Sequence, residues 1–96
     1  MSDITAASIL QSGLDALQQR AALRDQPNGE RSAARAAAIF TAWKGKEMTE
    51  DDAWCFLLCL KMARSEQGQF HLDDYVDLAS YPALLGEYRA SLNNVT

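Results

Sequence analysis

The stretch that most constrains the fold runs over residues 49–64 and reads TEDDAWCFLLCLKMAR. Thr49 is a good helix cap, and Asp52 three residues later can return a hydrogen bond to it. Acidic side chains fill the first turn and basic side chains the last, which suits the helix dipole. Between these ends the segment has no polar face, a pattern typical of a helix surrounded by others. The stretch therefore predicts a central buried helix.

Three further segments carry apolar residues at the three- and four-residue spacing of a helix. They are residues 4–23 with Asp3 as cap, residues 30–44 followed by Gly45, and residues 72–92. Gly13 inside the first segment indicates a close crossing with another helix. Pro82 inside the last segment removes a backbone donor, so we expect a kink or a break into two helices.

No segment shows the period-two alternation of a strand, and residues 25–29 (DQPNG) form the clearest loop. Short connections between four helices predict an all-α fold, a compact antiparallel bundle. The 96 residues suffice for one domain with a modest core, whose ordered part should span about residues 4–92. At core spacing, Phe40, Trp43, Trp54 and Phe56 should pack inside, with one of them exposed at a dimer face.

The charge is unevenly divided along the chain. Residues 1–46 carry six basic and four acidic side chains, a balance of +2, whereas residues 47–96 carry three and nine, a balance of −6. The net charge of −4 argues against general nucleic-acid binding, which depends on neutralising phosphates, and we expect no sequence-specific binding either. The division instead favours a protein partner or a homodimer. A solvated surface with neither role is the alternative.

Membrane, secreted and zinc-binding classes find no support in the sequence. No apolar run approaches the roughly 20 residues of a membrane span, and the start MSDITAASIL lacks a signal-peptide pattern. Cys55 and Cys59 share one helix and His71 is the single histidine, so we expect no metal site and no cofactor. These features fit a reducing cytoplasm.

Asp73, Asp74 and Asp77 form the strongest candidate cluster, because their spacing places carboxylates on one helix face. Such a set can bind Mg²⁺ in enzymes that cleave nucleotides. However, a short turn should bring Lys61 and Arg64 beside it, and the other acidic group of the chain, in residues 50–52, should lie about 20 Å away. We therefore predict a structural ion-pair cluster of Lys61, Arg64 and the three aspartates.

Four arginines flank the loop at residues 25–29 as two pairs four residues apart: Arg20 with Arg24, and Arg31 with Arg35. With the exposed N–H groups at the start of the second helix, they could hold a phosphate, a carboxylate or an acidic partner. The alternative is that they are surface arginines paired with nearby acidic residues.

Several motifs resemble a small family of phage and prophage proteins that is known only as a domain of unknown function. They are Ile39-x-x-Ala42-Trp43-x-Gly45, Thr49-x-x-Asp52, Leu58-x-Leu60-Lys61-x-Ala63-Arg64 and Asp73-Asp74-Tyr75-Val76-Asp77-Leu78-Ala79-x-Tyr81. The resemblance covers roughly residues 16–90. At the first loop Arg20 and Pro27 match the family, whereas Arg24-Asp25-Gln26 replaces its usual Tyr-Gly-Asp. The layout also resembles, at the level of the fold, the MazG-like nucleotide pyrophosphatases.

Three functions follow from these observations. The first is a phage- or prophage-derived, non-enzymatic protein-interaction module acting on or with a host or phage protein. The second, implied by the MazG-like resemblance, is a Mg²⁺-dependent nucleotide hydrolase or nucleotide-binding protein. The third is an acidic mimic of nucleic acid that inhibits host defence. The sequence favours the first, because no catalytic set converges.

Overall fold

The computed structural model describes residues 3–23 and 32–93 of the chain. Within them the chain forms four α-helices and no β-strand: α1 (Ala6–Leu23), α2 (Ser32–Lys44), α3 (Glu50–Ser65) and α4 (Leu72–Asn93). The predicted all-α bundle of four helices is thereby confirmed. The loop predicted at residues 25–29 and the predicted start of the second helix at residue 30 lie outside the described residues.

Reciprocal hydrogen bonds begin α1 and α3. The amide of Asp52 donates to Thr49 Oγ1 over 3.1 Å, and the amide of Thr49 donates to the Asp52 carboxylate over 3.1 Å, which confirms the predicted capping box. The predicted cap of α1, Asp3, is wrong. Thr5 and Ser8 take this role, because each side-chain oxygen accepts the other's amide, over 3.1 and 2.8 Å.

The helices lie in the order α1, α4, α3, α2, since α4 packs against both α1 and α3, and α2 packs against α3. Helices α3 and α4 are antiparallel: Trp54 contacts Tyr81 near their middle, while Asp51 at the start of α3 reaches Arg89 near the end of α4. In the described part of the chain, α1 and α2 do not pack on each other. A groove therefore opens between them.

Gly13 marks the crossing of α1 and α4, as predicted. It is buried, and a Cβ atom placed on it would lie 3.4 Å from the Ala79 Cβ and 3.6 Å from the Val76 carbonyl oxygen. A larger side chain would push the helices apart, so the glycine lets α1 approach the backbone of α4.

Helix α3 is not surrounded by other helices, contrary to the prediction. Phe56 is 63% exposed and Met62 50% exposed, because only α2 and α4 cover the helix and a full side of it faces solvent. Of the four aromatic residues predicted to pack inside, Trp54 is buried, Phe40 is half-buried, and both Trp43 and Phe56 are exposed. Only five apolar residues among those described are buried, and three of them are alanines. They are Ala33, Ala37, Ala53, Trp54 and Leu85.

Helix α4 continues through Pro82 as one helix, so of the two predicted outcomes, a kink or a break, the break does not occur. Proline removes the amide that would bond to the carbonyl four residues earlier. Pro82 is exposed to water, and α4 packs against both α1 and α3, which stabilises the helix on either side of the proline.

Candidate functional site

A buried carboxylate joins three helices of the bundle. Asp77 on α4 is 3% exposed; its Oδ2 lies 2.6 Å from Lys61 Nζ on α3, and its Oδ1 accepts a hydrogen bond of 2.9 Å from Arg20 Nη2 on α1. Lys61 Nζ also lies 3.5 Å from Asp73 Oδ2. Two cations therefore occupy both oxygens of Asp77, and the pairs fix the positions of α1, α3 and α4 relative to one another.

The ion-pair cluster forms, but its members differ in part from those predicted. The structure brings together Lys61, Asp73 and Asp77, as the short turn between α3 and α4 requires. Asp74 is buried but forms no ion pair with a described residue, and Arg64 is exposed and likewise forms none. Arg20 takes the place predicted for Arg64. No local pattern could have indicated this, because 57 residues separate Arg20 from Asp77.

The predicted four-arginine group is only partly described. Arg20 is bound to Asp77, and Arg35 is exposed on α2, whereas Arg24 and Arg31 lie outside the described residues. Among the described residues Arg20 Nη1 is buried without a hydrogen-bond partner. Its guanidinium carbon lies 5.4 Å from the centre of the Tyr81 ring, and this cation–π contact compensates part of the missing bond.

The groove between α1 and α2 has a volume of about 690 Å³. Its walls come from α1 and α2 and its floor from α3 and α4, and it is lined by Ala16, Gln19, Arg20, Ser32, Ala33, Ala36, Trp54, Leu57, Asp73 and Tyr81. The alanines of the walls allow a close approach to both helices, and the floor is aromatic and aliphatic. The groove thus combines an apolar base with a few polar groups at its edge.

Two aromatic residues form the floor of this groove. The rings of Trp54 and Tyr81 meet edge to face with their centres 5.7 Å apart, and Trp54 Nε1 donates a hydrogen bond of 3.1 Å to the Glu50 carboxylate. Burial raises the pKa of Tyr81 above its ordinary value of 10.0, and the negative charge of Asp77 adds to this effect. The floor therefore presents packed aromatic rings, with the indole N–H of Trp54 engaged by Glu50.

Two of the three aspartates that the alternative assigns to Mg²⁺ are engaged with basic side chains. Both oxygens of Asp77 face cations rather than open space, and Asp73 already pairs with Lys61. Within residues 3–23 and 32–93, no three His, Cys, Asp or Glu side chains lie close enough together to ligate a metal. The donor set that magnesium prefers, several free oxygens at one point, is not assembled there.

A further ion pair, which no sequence pattern predicted, lies outside this cluster and joins the start of α3 to the end of α4. Arg89 donates two hydrogen bonds to the Asp51 carboxylate, over 2.7 and 3.0 Å. These bonds lower the pKa of Asp51. Burial, followed by the hydrogen bond with Asp51, raises the pKa of the neighbouring Cys55 thiol. Cys55 is therefore a packing residue rather than a reactive thiolate.

We expect the fold to lose stability as the pH rises above about 10.5. The hydrogen bond with Asp77 raises the pKa of Lys61 above its ordinary value of 10.5, although burial opposes this. The folded protein therefore binds the proton of the Lys61 ammonium group more tightly than the unfolded chain does. The stabilisation is complete below the unfolded pKa and disappears as the pH passes the folded one. Urea denaturation at about pH 8 and pH 11 would measure the loss.

The Tyr81→Phe variant provides the background for this measurement, because the raised pKa of Tyr81 acts in the same direction. In that background, Lys61→Met should show a smaller loss of stability between the two pH values than the protein that keeps Lys61. An equal loss in both would contradict the assignment to Lys61.

None of the helices in the described ranges is long and apolar enough to span a lipid bilayer.

One family model matches most of the chain. It describes a domain of unknown function, DUF6378, and matches residues 9–89. No curated protein and no solved structure matches the chain.

Proposed function

The chain belongs to the DUF6378 family, a domain of unknown function, and we propose that it is a phage- or prophage-derived protein that acts without catalysis, as a protein-interaction module. It works in the cytoplasm of the bacterial host and binds a host or phage protein. The resemblance of its motifs to phage and prophage proteins is the basis for proposing this origin. The free thiols of Cys55 and Cys59 are compatible with a reducing compartment.

The single observation that carries this proposal is the open groove between α1 and α2. A groove of about 690 Å³ with alanine walls and a floor of Trp54, Leu57 and Tyr81 suits the apolar face of an amphipathic helix. Polar groups at its edge, including Gln19 and Asp73, can meet polar residues of that helix. The carboxylate that catalysis would need, Asp77, is neutralised by two cations.

A crosslinking experiment in host cells tests this function. A photo-reactive amino acid at Gln19, which lines the groove, should crosslink to one specific protein. The Ala36→Arg variant should lose the product, because Ala36 is exposed and its longer replacement would fill the groove. The matched control, Ala83→Arg on the exposed side of α4, should keep it. Products that are unspecific, or equally abundant in both variants, would contradict the proposal.

A second candidate function is binding of a nucleotide in the same groove. Its volume lies within the roughly 300–1,000 Å³ of small-molecule sites, and Trp54 and Tyr81 could contact a base. This candidate involves binding without a Mg²⁺-dependent step, because Asp73 and Asp77 are paired with basic side chains. Thermal-shift and phosphate-release measurements with nucleoside triphosphates, with and without Mg²⁺, distinguish the two functions: no shift and no release would remove this candidate.

The third candidate, mimicry of nucleic acid, has less support. Three of the acidic side chains that such a mimic would present, Asp51, Asp73 and Asp77, are paired with basic groups. Fewer unpaired negative charges are therefore left to imitate the phosphates of a nucleic acid.

A further inference from the structure

The exposed side of α2 is apolar. Ala38, Ile39, Ala42 and Trp43 share it, with Ile39 65% exposed and Trp43 75% exposed. A lone exposed apolar side chain needs no explanation, but four at helical spacing form a patch. The patch contains a tryptophan and an isoleucine, whereas three of the five buried apolar residues of the described core are alanines.

The exposed side of α3 repeats this arrangement. Phe56, Cys59, Met62 and Ala63 recur at three- and four-residue steps and are all exposed. We call these four residues of α3 and the four residues of α2 the outer faces. Since α2 and α3 pack against each other, the two outer faces lie on neighbouring helices.

The charges around the outer faces differ in sign. Helix α2 contains Arg35 and Lys44 and no acidic residue, and both basic residues are exposed. The outer face of α3 is flanked by exposed Asp52 and Glu66. Thus the α2 face is apolar with a positive edge, and the α3 face is apolar with a negative edge. The charge of the α2 face is therefore complementary to that of the α3 face, whereas two copies of the same face would repel each other.

We propose that the outer faces form a homodimer in which α2 of each copy packs on α3 of the other. A two-fold axis makes this contact twice, so each positive edge meets a negative one in both halves of the interface. A stable dimer buries about 800 Å² on each partner around an apolar centre. Trp43 and Phe56, aromatic and mostly exposed, supply the large side chains that such centres contain.

This dimer goes beyond the proposed function and uses other residues. The groove is lined by Ala36 and its neighbours and shares no residue with the outer faces. A monomeric protein could still bind a partner in the groove, and a dimer could form with the groove empty. Failure of one proposal therefore leaves the other intact.

The molar mass in solution tests the dimer. Light scattering during size exclusion should give about twice the 10.6 kDa of the chain at micromolar concentration. Phe56→Glu and Trp43→Glu should each give a folded monomer, with unchanged helical circular dichroism, because both residues are exposed in the single copy. Leu10→Glu is the matched control: Leu10 is 65% exposed on α1, and the variant should remain dimeric.

The pairing of α2 with α3 has its own test. Arg35→Glu should raise the dimer dissociation constant about tenfold at low salt, whereas Arg64→Glu, on an exposed residue of α3 outside the outer face, should not. A monomeric wild-type protein, or a Leu10→Glu variant that dissociates while Phe56→Glu does not, would overturn the dimer. Equal effects of Arg35→Glu and Arg64→Glu would overturn the pairing of the helices.

Discussion

Replacing Asp77 by asparagine should destabilise the protein by about 3 kcal/mol, since removal of one member of a buried ion pair leaves its partner charged and uncompensated. Here two partners are affected. Arg20, whose Nη1 already has no hydrogen-bond partner, would lose its counter-charge, and Lys61, whose side chain is 12% exposed, would keep only the exposed Asp73. Asparagine keeps the shape of the side chain, so the effect reports charge rather than packing.

Urea denaturation followed by circular dichroism, at one fixed protein concentration, would measure this change. Asp73→Asn is the control. Its side chain is 79% exposed and lies 3.5 Å from the same lysine, so its loss should cost less than about 1 kcal/mol. Similar losses of unfolding free energy for the two variants would show that the burial of Asp77 does not determine how much the cluster stabilises the fold.

The Trp54→Ala variant should lose about 3–5 kcal/mol of stability, the usual cost of truncating a large buried aromatic side chain. Trp54 is 3% exposed and contacts the core cluster around Ala53 and Leu85. Its loss also removes the edge-to-face contact with Tyr81 and leaves the Glu50 carboxylate without its indole donor. For a domain of this size the predicted loss corresponds to a fall in melting temperature of at least about 12 °C.

Trp43→Ala provides the comparison for Trp54. Both substitutions are best measured in the Phe56→Glu background, so that the proposed dimer does not contribute. Trp43 is 75% exposed, and its truncation there should change stability by no more than about 0.5 kcal/mol. If Trp54→Ala and Trp43→Ala lowered the stability by the same amount, the assignment of Trp54 to the core would be wrong.

Features that depend on neighbouring residues could be predicted from the sequence. The capping box of Thr49 and Asp52 and the end of α2 at Gly45, whose φ is 69°, arise from residues within one turn of the helix terminus. The proximity of Lys61 and Asp77 was predictable because a short connection joins the end of α3 to the start of α4. Local geometry limits the arrangements in all these cases.

Features that depend on how many helices surround a residue could not be predicted. Phe56 and Trp54 have the same apolar character and lie two positions apart, yet one is exposed and the other buried, because α3 has neighbours on only part of its circumference. The continuity of α4 through Pro82 is a similar case, since packing against α1 and α3 overrides a local preference.

The sequence by itself determined the helices, most of their ends and the pairing of Lys61 with Asp73 and Asp77 across the connection between α3 and α4. Hydrogen bonding and side-chain spacing act over a few residues, and such features depend on little else. Only the tertiary structure decided that Arg20 rather than Arg64 completes the Asp77 cluster, that a groove lies between α1 and α2, and which apolar residues face solvent. These depend on which helices become neighbours, and that choice is made by burial over the whole chain.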